Sequence, residues 1–405
     1  MATRASVQSS TRSADSVAAS RIEINGIVQG VGFRPFVYRL AKSRGLKGRV
    51  SNTSSGVLIH VEGAPEEISR FAAALKTQSP PLARLTAVTS HSVPPEHCRD
   101  FSISSSRKQE DQSTLISPDI SVCPDCLAEL FDSRNRRYRY PFINCTNCGP
   151  RYTIIEDVPY DRPNTSMKHF VMCANCRAEY ESPGDRRFHA QPNACPVCGP
   201  QVRLFASDHS ETEARDPIKQ AAGLLKEGFI LALKGLGGFH LAVDARNDEA
   251  VKRLRRRKSR EEKPFALMSP DVESITAYAA VAPEEKKLLE SPQRPIVLLK
   301  KADRHFLSSA ISPENAYFGV MLPYTPLHYL LLTDEFSALV MTSANASDEP
   351  IVIGNEEAFE RLSGIADYFL IHDRGIRLRS DDSIVAVNAG STRFLRRSRG
   401  YVPAP

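Results

Sequence analysis

Length, composition and charge place the chain among globular proteins with several domains. About 150 residues per domain predicts two or three domains for its 405 residues. Hydrophobic residues make up 41%, and no apolar run approaches the about 20 residues that a bilayer requires, so we expect no membrane span. The net charge of +6 matches the excess within 252–263, where eight basic residues accompany two acidic ones. Such a local excess favours an anion site over an extended nucleic-acid-binding face.

The first residues and the cysteines bear on the compartment. Residues 1–20 are rich in Ser, Ala and Arg with one acid, Asp15, which predicts a disordered tail, with a transit peptide as the alternative. Eight of the nine cysteines fall in four CxxC pairs, and no apolar signal-peptide core precedes them. We therefore expect metal binding in a reducing cytosol, and a cytoplasmic protein.

Residues 21–108 predict a ferredoxin-like βαββαβ sandwich, an α+β fold. Hydrophobic periodicity and turn residues predict, in order, a strand over 21–28, a helix from Phe33, a hairpin turning at 52–56, a helix from Pro65, and a last strand over 84–92 or 101–104. The stretch between the first strand and the first helix is too glycine-rich for a regular element, so it predicts a tight loop.

That loop is the first candidate site. It consists of Gln29, Gly30, Val31, Gly32 and Phe33. Unpaired backbone N–H groups and the positive end of a helix dipole suit a phosphate, and Arg34 adds a guanidinium at the same place. Asn52, at the predicted hairpin, has an amide that could orient a water without itself titrating. The pattern alone leaves a plain tight turn as the alternative.

Three segments of this block, 26–34, 48–52 and 56–57, resemble the acylphosphatase signature. The resemblance covers nearly the whole block. It implies that Arg34 binds phosphate, that Asn52 positions the attacking water, and that the reaction is hydrolysis of a carboxyl-phosphate anhydride.

The second block, 118–206, contains the four CxxC pairs. The cysteines are Cys123, Cys126, Cys145, Cys148, Cys173, Cys176, Cys195 and Cys198. Gaps of 18, 24 and 18 residues separate the pairs, and two pairs supply the four thiolates of a closed, structural tetrahedral zinc site. The spacing predicts two structural Zn²⁺ ions; disulfides or redox CxxC pairs are the alternative. Cys98 lies outside the pattern and is predicted to be an ordinary thiol.

An internal repeat offset by 50 positions supports two modules, a first repeat over 123–148 and a second repeat over 173–198. Arg-Arg-aromatic recurs at Arg136 and Arg186, and Cys-Gly-Pro at Cys148 and Cys198. Ligation within each repeat is expected, with interlocked pairing as the alternative. The basic and aromatic residues of 134–140 would suit nucleic acid, but the preferred interpretation is a solvated or interdomain face, because Glu179 and Glu181 dilute the mixture in the second repeat.

The third block, 214–403, predicts a twisted α/β domain. Apolar runs such as 229–233 lack alternation, as strands buried on both faces do, and they alternate with helical stretches. Polar residues cluster after these runs, and no Walker A or GxGxxG motif appears. A triphosphate site would therefore need separated basic and hydroxyl groups that converge in space; a solvated helix face is the alternative for 252–263.

Five segments resemble a YrdC-type nucleotide-binding domain: 234–245, 263–268, 322–328, 342–345 and 396–401. With the preceding domains in this order, the chain over 21–405 resembles the HypF family of hydrogenase maturation carbamoyltransferases. The resemblance implies that carbamate from carbamoyl phosphate reacts with ATP and Mg²⁺ to give carbamoyl-adenylate. The residues implied for the nucleotide are Lys234, Arg257, Lys258 and Lys263 on phosphate, Ser343 and Asn345 as polar contacts, and Arg397 closing the site.

One departure from the family concerns the last step. The family continues into a Kae1-like domain, whereas this sequence ends at Pro405, so we expect a fragment, a split gene product, or a second half acting in trans. In the family the carbamoyl group passes to a C-terminal cysteine of the partner HypE. The alternatives are a stand-alone acylphosphatase and an RNA-associated protein related to threonylcarbamoylation of tRNA.

Overall fold

The computed structural model describes residues 17–104, 116–332, 336–345 and 349–404. Contacts divide the chain into two units: one groups Met1–Val28 with Phe33–Thr114, and the other groups Gln29–Gly32 with Leu115–Pro405. The tail predicted for 1–20 lies outside the described residues up to residue 16. Its last residues are not a tail, because the first strand begins at Ala18.

The first unit has the predicted ferredoxin-like order with one additional strand. Its elements are β1 (Ala18–Ile27), α1 (Phe33–Ser43), β2 (Lys47–Asn52), β3 (Gly56–Gly63), α2 (Pro65–Thr77), β4 (Arg84–Val93) and β5 (Phe101–Ile103). The sheet order is β4-β1-β3-β2-β5, with β5 parallel to β2 and the other pairs antiparallel. Both segments proposed for the last strand are therefore strands.

Alternation and helical periodicity explain this unit. Ile22 and Ile24 of β1 are fully buried, while the intervening Glu23 is exposed, as one apolar sheet face requires. Val37 of α1 and Phe71 of α2 are also inaccessible to solvent, so both helices bury an apolar stripe. The sequence prediction of an α+β sandwich is confirmed.

The second unit begins with the two cysteine repeats. Each contains one short helix that starts directly after the first cysteine of the repeat: α3 (Pro124–Phe131) and α4 (Ala174–Glu181). Three 3₁₀ helices lie between them, at Tyr152–Ile154, Arg162–Asn164 and Ser166–His169. Elements this short contribute few backbone hydrogen bonds, which makes metal ligation an important part of their stability.

A mixed ten-stranded sheet completes the second unit. Its strands are β6 (Val202–Ala206), β7 (Leu231–Lys234), β8 (Phe239–Asp244), β9 (Ala266–Met268), β10 (Ile296–Lys300), β11 (Tyr317–Met321), β12 (Leu339–Ser343), β13 (Tyr368–His372), β14 (Ile384–Asn388) and β15 (Ser391–Arg396). The helices are α5 (Pro217–Lys226), α6 (Asp248–Arg257), α7 (Val272–Thr276), α8 (Pro283–Glu290), α9 (Pro326–Leu332) and α10 (Asn355–Leu362). The sheet order is β15-β14-β10-β11-β9-β12-β8-β7-β13-β6.

Sheet burial and helix ends follow from the sequence. All four residues of β7 are buried, as its unbroken apolar run predicted. The Asn247 side chain caps α6 by accepting from Ala250 N, a contact worth about 1 kcal/mol, and Arg255, Arg256 and Arg257 complement the dipole at its C-terminus. This end of α6 delivers the basic segment to the candidate nucleotide site. No helix within the described ranges is long and apolar enough to cross a membrane.

Candidate functional site

The first unit buries both residues predicted to act on a phosphate. Arg34 lies in the first turn of α1 and Asn52 is the last residue of β2; they are 8% and 1% exposed. Within the described part of the chain, neither Nδ2 nor Oδ1 of Asn52 has a hydrogen-bond partner. A buried amide without partners is costly, so Asn52 has donors and acceptors available for a ligand or a water.

The hairpin after Asn52 is held by its own polar groups. Thr53 N donates to Gly56 O at 3.0 Å, and Gly56 N donates to Thr53 Oγ1 at 3.1 Å. Asn52 itself faces Val57 across the β2–β3 pair. The turn is therefore fixed without the Asn52 side chain, which leaves that amide to other uses.

The glycine loop that precedes α1 in the chain groups with the second unit. Gly30 and Gly32 both have φ of 73°, the left-handed region that favours glycine, as a tight loop requires. Gln29 Oε1 accepts from Tyr160 N at 2.8 Å, and Arg151 Nε donates to Gly30 O. Val31 is buried, as is Phe33 at the start of α1. These contacts within the second unit hold the loop backbone in a defined shape.

The structure brings the cysteines together within each repeat, so the predicted pairing is present and the interlocked one is not. In the first repeat, Sγ–Sγ distances are 3.7 Å for Cys123–Cys145, 3.8 Å for Cys145–Cys148 and 3.6 Å for Cys126–Cys148. In the second repeat, the Sγ–Sγ distances are 3.7 Å for Cys173–Cys195, 3.8 Å for Cys195–Cys198 and 3.6 Å for Cys176–Cys198.

These distances test whether zinc fits. Four sulfurs at about 2.3 Å from a tetrahedral Zn²⁺ lie about 3.8 Å from one another, which the observed spacing reproduces. A disulfide would need about 2.05 Å, and all eight thiols are free. Both sites thus fit structural zinc, with no fifth donor atom needed. Cys98 is outside both groups, as predicted; its amide donates to Glu62 Oε2 at 2.9 Å.

Several basic and aromatic residues of the first repeat are engaged within the protein. Arg139 Nη2 contacts Asp216 Oδ2 at 3.0 Å, Tyr140 is buried, and Arg136 and Arg137 contact Glu179. Arg134 and Tyr138 remain exposed. Only Arg137 and Tyr140 of residues 134–140 are buried, but the ion pairs of Arg136, Arg137 and Arg139 with other parts of the second unit favour the interdomain interpretation over nucleic-acid binding.

A cavity of about 610 Å³ lies where α6, β12 and β15 end. Its lining residues are Lys258, Ser259, Arg260, Glu261, Glu262, Lys263, Ser343, Asn345, Glu349, Asp381 and Arg396. Four predicted nucleotide residues, Lys258, Lys263, Ser343 and Asn345, therefore converge from segments far apart in the sequence.

Lys258 links these segments. Its ammonium donates to Ser343 O at 2.9 Å, to Asn345 Oδ1 at 3.0 Å, and to Asn345 O. An ammonium has three donors, so all of them are used within the protein. Burial, with smaller contributions from Arg260 and Lys263, lowers the pKa of Lys258 to about 7. The residue is a buried group whose charge responds to what occupies the cavity.

Three other predicted residues are not in the lining of this cavity. Lys234 Nζ contacts Asn355 Oδ1 at 2.6 Å and His372 O at 3.0 Å. Arg257 Nη1 contacts Asp367 Oδ1 at 2.6 Å, and Arg397 Nη2 donates to Ala404 O. Lys234 is buried at the end of β7, and burial, followed by Arg374, lowers its pKa to about 8.

Two arginines that were not predicted as nucleotide residues, Arg260 and Arg396, line the cavity. Arg260 Nη1 donates to Thr342 Oγ1 at 3.2 Å, and burial, followed by Arg255 and Arg396, lowers the pKa of Arg260 to about 10. Arg396 is the neighbour of Arg397 in the Arg-Arg pair, and adjacent residues of an extended strand point to opposite sides. Alternation along the strand indicated that only one of Arg396 and Arg397 would face the cavity, but the sequence did not indicate which one.

Three family models match the chain in the predicted order. The model described as Acylphosphatase matches 20–103, the HypF finger model matches 122–155 and 172–205, and the model described as Telomere recombination, which covers Sua5, YciO and YrdC proteins, matches 223–398. The fold and the sites thus define a class: proteins that combine an acylphosphatase domain, paired four-cysteine fingers and a YrdC-like domain.

Longer similarities identify the family. The carbamoyltransferase HypF of Rhodobacter capsulatus is 52% identical over 389 residues, covering 95% of this chain and 51% of that protein. A crystal structure of full-length HypF in a phosphate- and nucleotide-bound form superposes with a TM-score of 0.93 at 51% identity, over 97% of this chain and 52% of that one. A crystal structure of HypF from T. kodakarensis superposes with a TM-score of 0.88 at 49% identity, over 95% of this chain and 50% of that one. The chain belongs to the HypF family and spans about half the length of the curated relatives that it matches.

Proposed function

We propose that this chain performs the early steps of carbamoyl transfer. Water attacks the phosphorus of carbamoyl phosphate in line, the P–O bond to the carbamoyl oxygen breaks, and carbamate and inorganic phosphate leave. A carbamate oxygen then attacks the α-phosphorus of ATP and displaces pyrophosphate, which yields carbamoyl-adenylate. The relatives named carbamoyltransferase support the reaction class.

The buried Asn52 amide carries the first step. It has no partner in the described structure, it lies within the segment that matches Acylphosphatase, and it cannot titrate. A neutral amide that accepts from and donates to one water can hold it for in-line attack, while the Arg34 guanidinium binds phosphate oxygens. For the glycine loop 29–32 the proposal rests on the sequence pattern alone: its backbone N–H groups would bind phosphate.

The cavity around Lys258 supports the second step. Lys258, Arg260, Lys263 and Arg396 supply positive charge for a triphosphate, and Ser343 and Asn345 supply polar contacts. The Asp381 and Glu349 carboxylates in the same lining are oxygen donors of the kind that Mg²⁺ takes. In this proposal Lys234, Arg257 and Arg397 support the surrounding structure from outside the cavity.

The remaining proposals concern the whole protein and rest on the family. Final transfer to a C-terminal cysteine of HypE would fall to sequence that matches the other half of the relatives, the Kae1-like domain, in cis or in trans. The two zinc ions would be structural, and the chain would act in the cytoplasm.

Exchange of radiolabelled pyrophosphate into ATP by the 405-residue chain tests both steps together. The expected result is exchange that depends on carbamoyl phosphate, that is lost in Arg34→Ala, and that persists in Arg39→Ala, an exposed arginine of the same helix. Ammonium bicarbonate, which contains carbamate at equilibrium, bypasses the first step and should restore exchange to Arg34→Ala.

Other outcomes identify the alternatives. Release of phosphate without exchange under either condition would mean that this chain alone is an acylphosphatase, and hydrolysis of many acyl phosphates would support that reading. Salt-dependent binding of tRNA with neither activity would favour an RNA-associated protein. The engaged arginines of the first repeat favour the enzyme.

A further inference from the structure

Arginine side chains of each cysteine repeat contact the four-cysteine site of the other repeat. Arg136 of the first repeat donates from Nη2 to Cys176 Sγ of the second repeat at 3.3 Å, and contacts Glu179 at 2.6 Å. Arg137 donates to the same sulfur at 3.5 Å and to Glu179 Oε1 at 3.0 Å. Both guanidinium groups therefore lie beside the metal site of the other repeat.

The reverse contacts, from the second repeat to the first, are made by the arginines 50 positions later in the sequence. Arg186 of the second repeat donates to Cys126 Sγ of the first at 3.2 Å and contacts Glu129 at 2.8 Å. Arg187 also contacts Glu129. The backbone anchors correspond as well: Arg137 Nε donates to Ala194 O at 2.8 Å, and Arg187 Nε donates to Asn144 O at 3.1 Å.

These arginine contacts between the repeats compensate negative charge at each metal site. A zinc ion with four thiolates carries two net negative charges, and N–H donors on the thiolate sulfurs reduce the repulsion among them. The carboxylate fixes the arginines: burial opposes ionisation of Glu179, but Arg137 and Arg136 outweigh it and lower the pKa of Glu179 to about 2. Arg137 is almost inaccessible to solvent, so its position is set by packing.

We propose that each four-cysteine site depends on the arginine pair of the other repeat, so that the two zinc sites are coupled and load together. Coupling of this kind predicts the order in which the two sites lose zinc. Without Arg136, zinc leaves the second site first. A collapsed second repeat no longer holds Arg186 and Arg187 against the first site, which weakens in turn. Two independent fingers would show neither effect.

Thiol alkylation read cysteine by cysteine tests this without any enzyme assay. The zinc-loaded full chain is challenged with a chelator and N-ethylmaleimide, and peptide mass spectrometry follows each cysteine. In Arg136→Ala, the four cysteines of the second repeat should become reactive about 10- to 100-fold sooner than in the unaltered chain, the usual range for lost partners of metal ligands. Arg134→Ala is the matched control, because Arg134 is exposed and contacts Asp132 of its own repeat.

The reciprocal and conservative variants complete the test. Arg186→Ala should expose the first repeat before the second. Cys173→Ser, which disrupts the second site directly, should accelerate alkylation of the first site by about tenfold or more. Arg136→Lys keeps the charge and should shift the same four cysteines by a smaller factor, which preserves the test if Arg136→Ala does not fold. The proposal is overturned if Arg136→Ala exposes its own repeat first, or if Cys173→Ser leaves the first site unchanged.

Discussion

Asn52 in the first unit and Lys258 in the second are both buried at candidate sites, but they differ in whether their polar atoms have hydrogen-bond partners. The Asn52 amide has no partner within the described residues, whereas every Lys258 donor is used by Ser343 and Asn345. A group left unsatisfied reduces stability and is ready for a ligand. A satisfied group contributes to stability and must exchange partners, or act through its charge alone, when a ligand enters.

This difference predicts opposite stability effects for the loss of each residue. Removing the unsatisfied amide should lower activity without lowering stability. Removing the satisfied ammonium should lower both, because carbonyl oxygens lose a charged donor. The comparison thus separates a residue kept for chemistry from a residue that also holds its site together.

The largest expected effect is that of Asn52→Ala. Phosphate release from carbamoyl phosphate should slow by about 10²- to 10³-fold, the usual result of losing one positioned amide. The free energy of unfolding should stay constant or rise by about 1 kcal/mol, because an unsatisfied buried amide is removed. Kinetics and chemical denaturation measure the two quantities, with the exposed Asn25→Ala as control. Destabilisation of several kcal/mol would contradict the assignment.

Lys258→Ala should weaken ATP binding by about 10- to 100-fold and lower the free energy of unfolding by about 1.5–3 kcal/mol, the range for a hydrogen bond to a charged group. Titration calorimetry and thermal unfolding measure these effects. Lys252→Ala serves as control, because Lys252 is on the exposed side of α6 and pairs with Asp248 four residues earlier. Weaker binding with undiminished stability would place Lys258 in the same class as Asn52 and remove the distinction.

The smallest effect is a pH dependence of nucleotide binding. Burial lowers the pKa of Lys258 to about 7, so the free site loses this charge as the pH rises above 7. ATP favours the charged form, so its dissociation constant should rise by at most tenfold per pH unit between pH 7 and the higher pKa of the complex. Lys258→Arg keeps its charge throughout, and its binding should lack this slope. Equal slopes in the two proteins would show that another group titrates.

The sequence predicted local features well, since they depend on residues close together in the chain. The helix from Phe33 was expected from its apolar periodicity, and α1 begins at that residue, because the stripe that it buries is set by residues three and four apart. Cysteine grouping within each repeat was expected, with interlocked pairing as the alternative, and the structure has the expected grouping. The lining of the candidate nucleotide cavity was predicted in part: Lys258, Lys263, Ser343 and Asn345 line it, whereas Lys234, Arg257 and Arg397 have partners elsewhere.

By itself, the sequence determined the domain order, the eight cysteines that cluster in two groups of four, and the position of Asn52 at a hairpin. Local spacing carries this information, since a CxxC turn or a strand end is set by a few consecutive residues. Only the tertiary structure decided that Arg260 and Arg396 face the cavity, and that Arg136 and Arg186 reach the opposite repeat. A long basic side chain pairs with whichever carboxylate, carbonyl or thiolate long-range packing brings within its reach, and no local pattern encodes that choice.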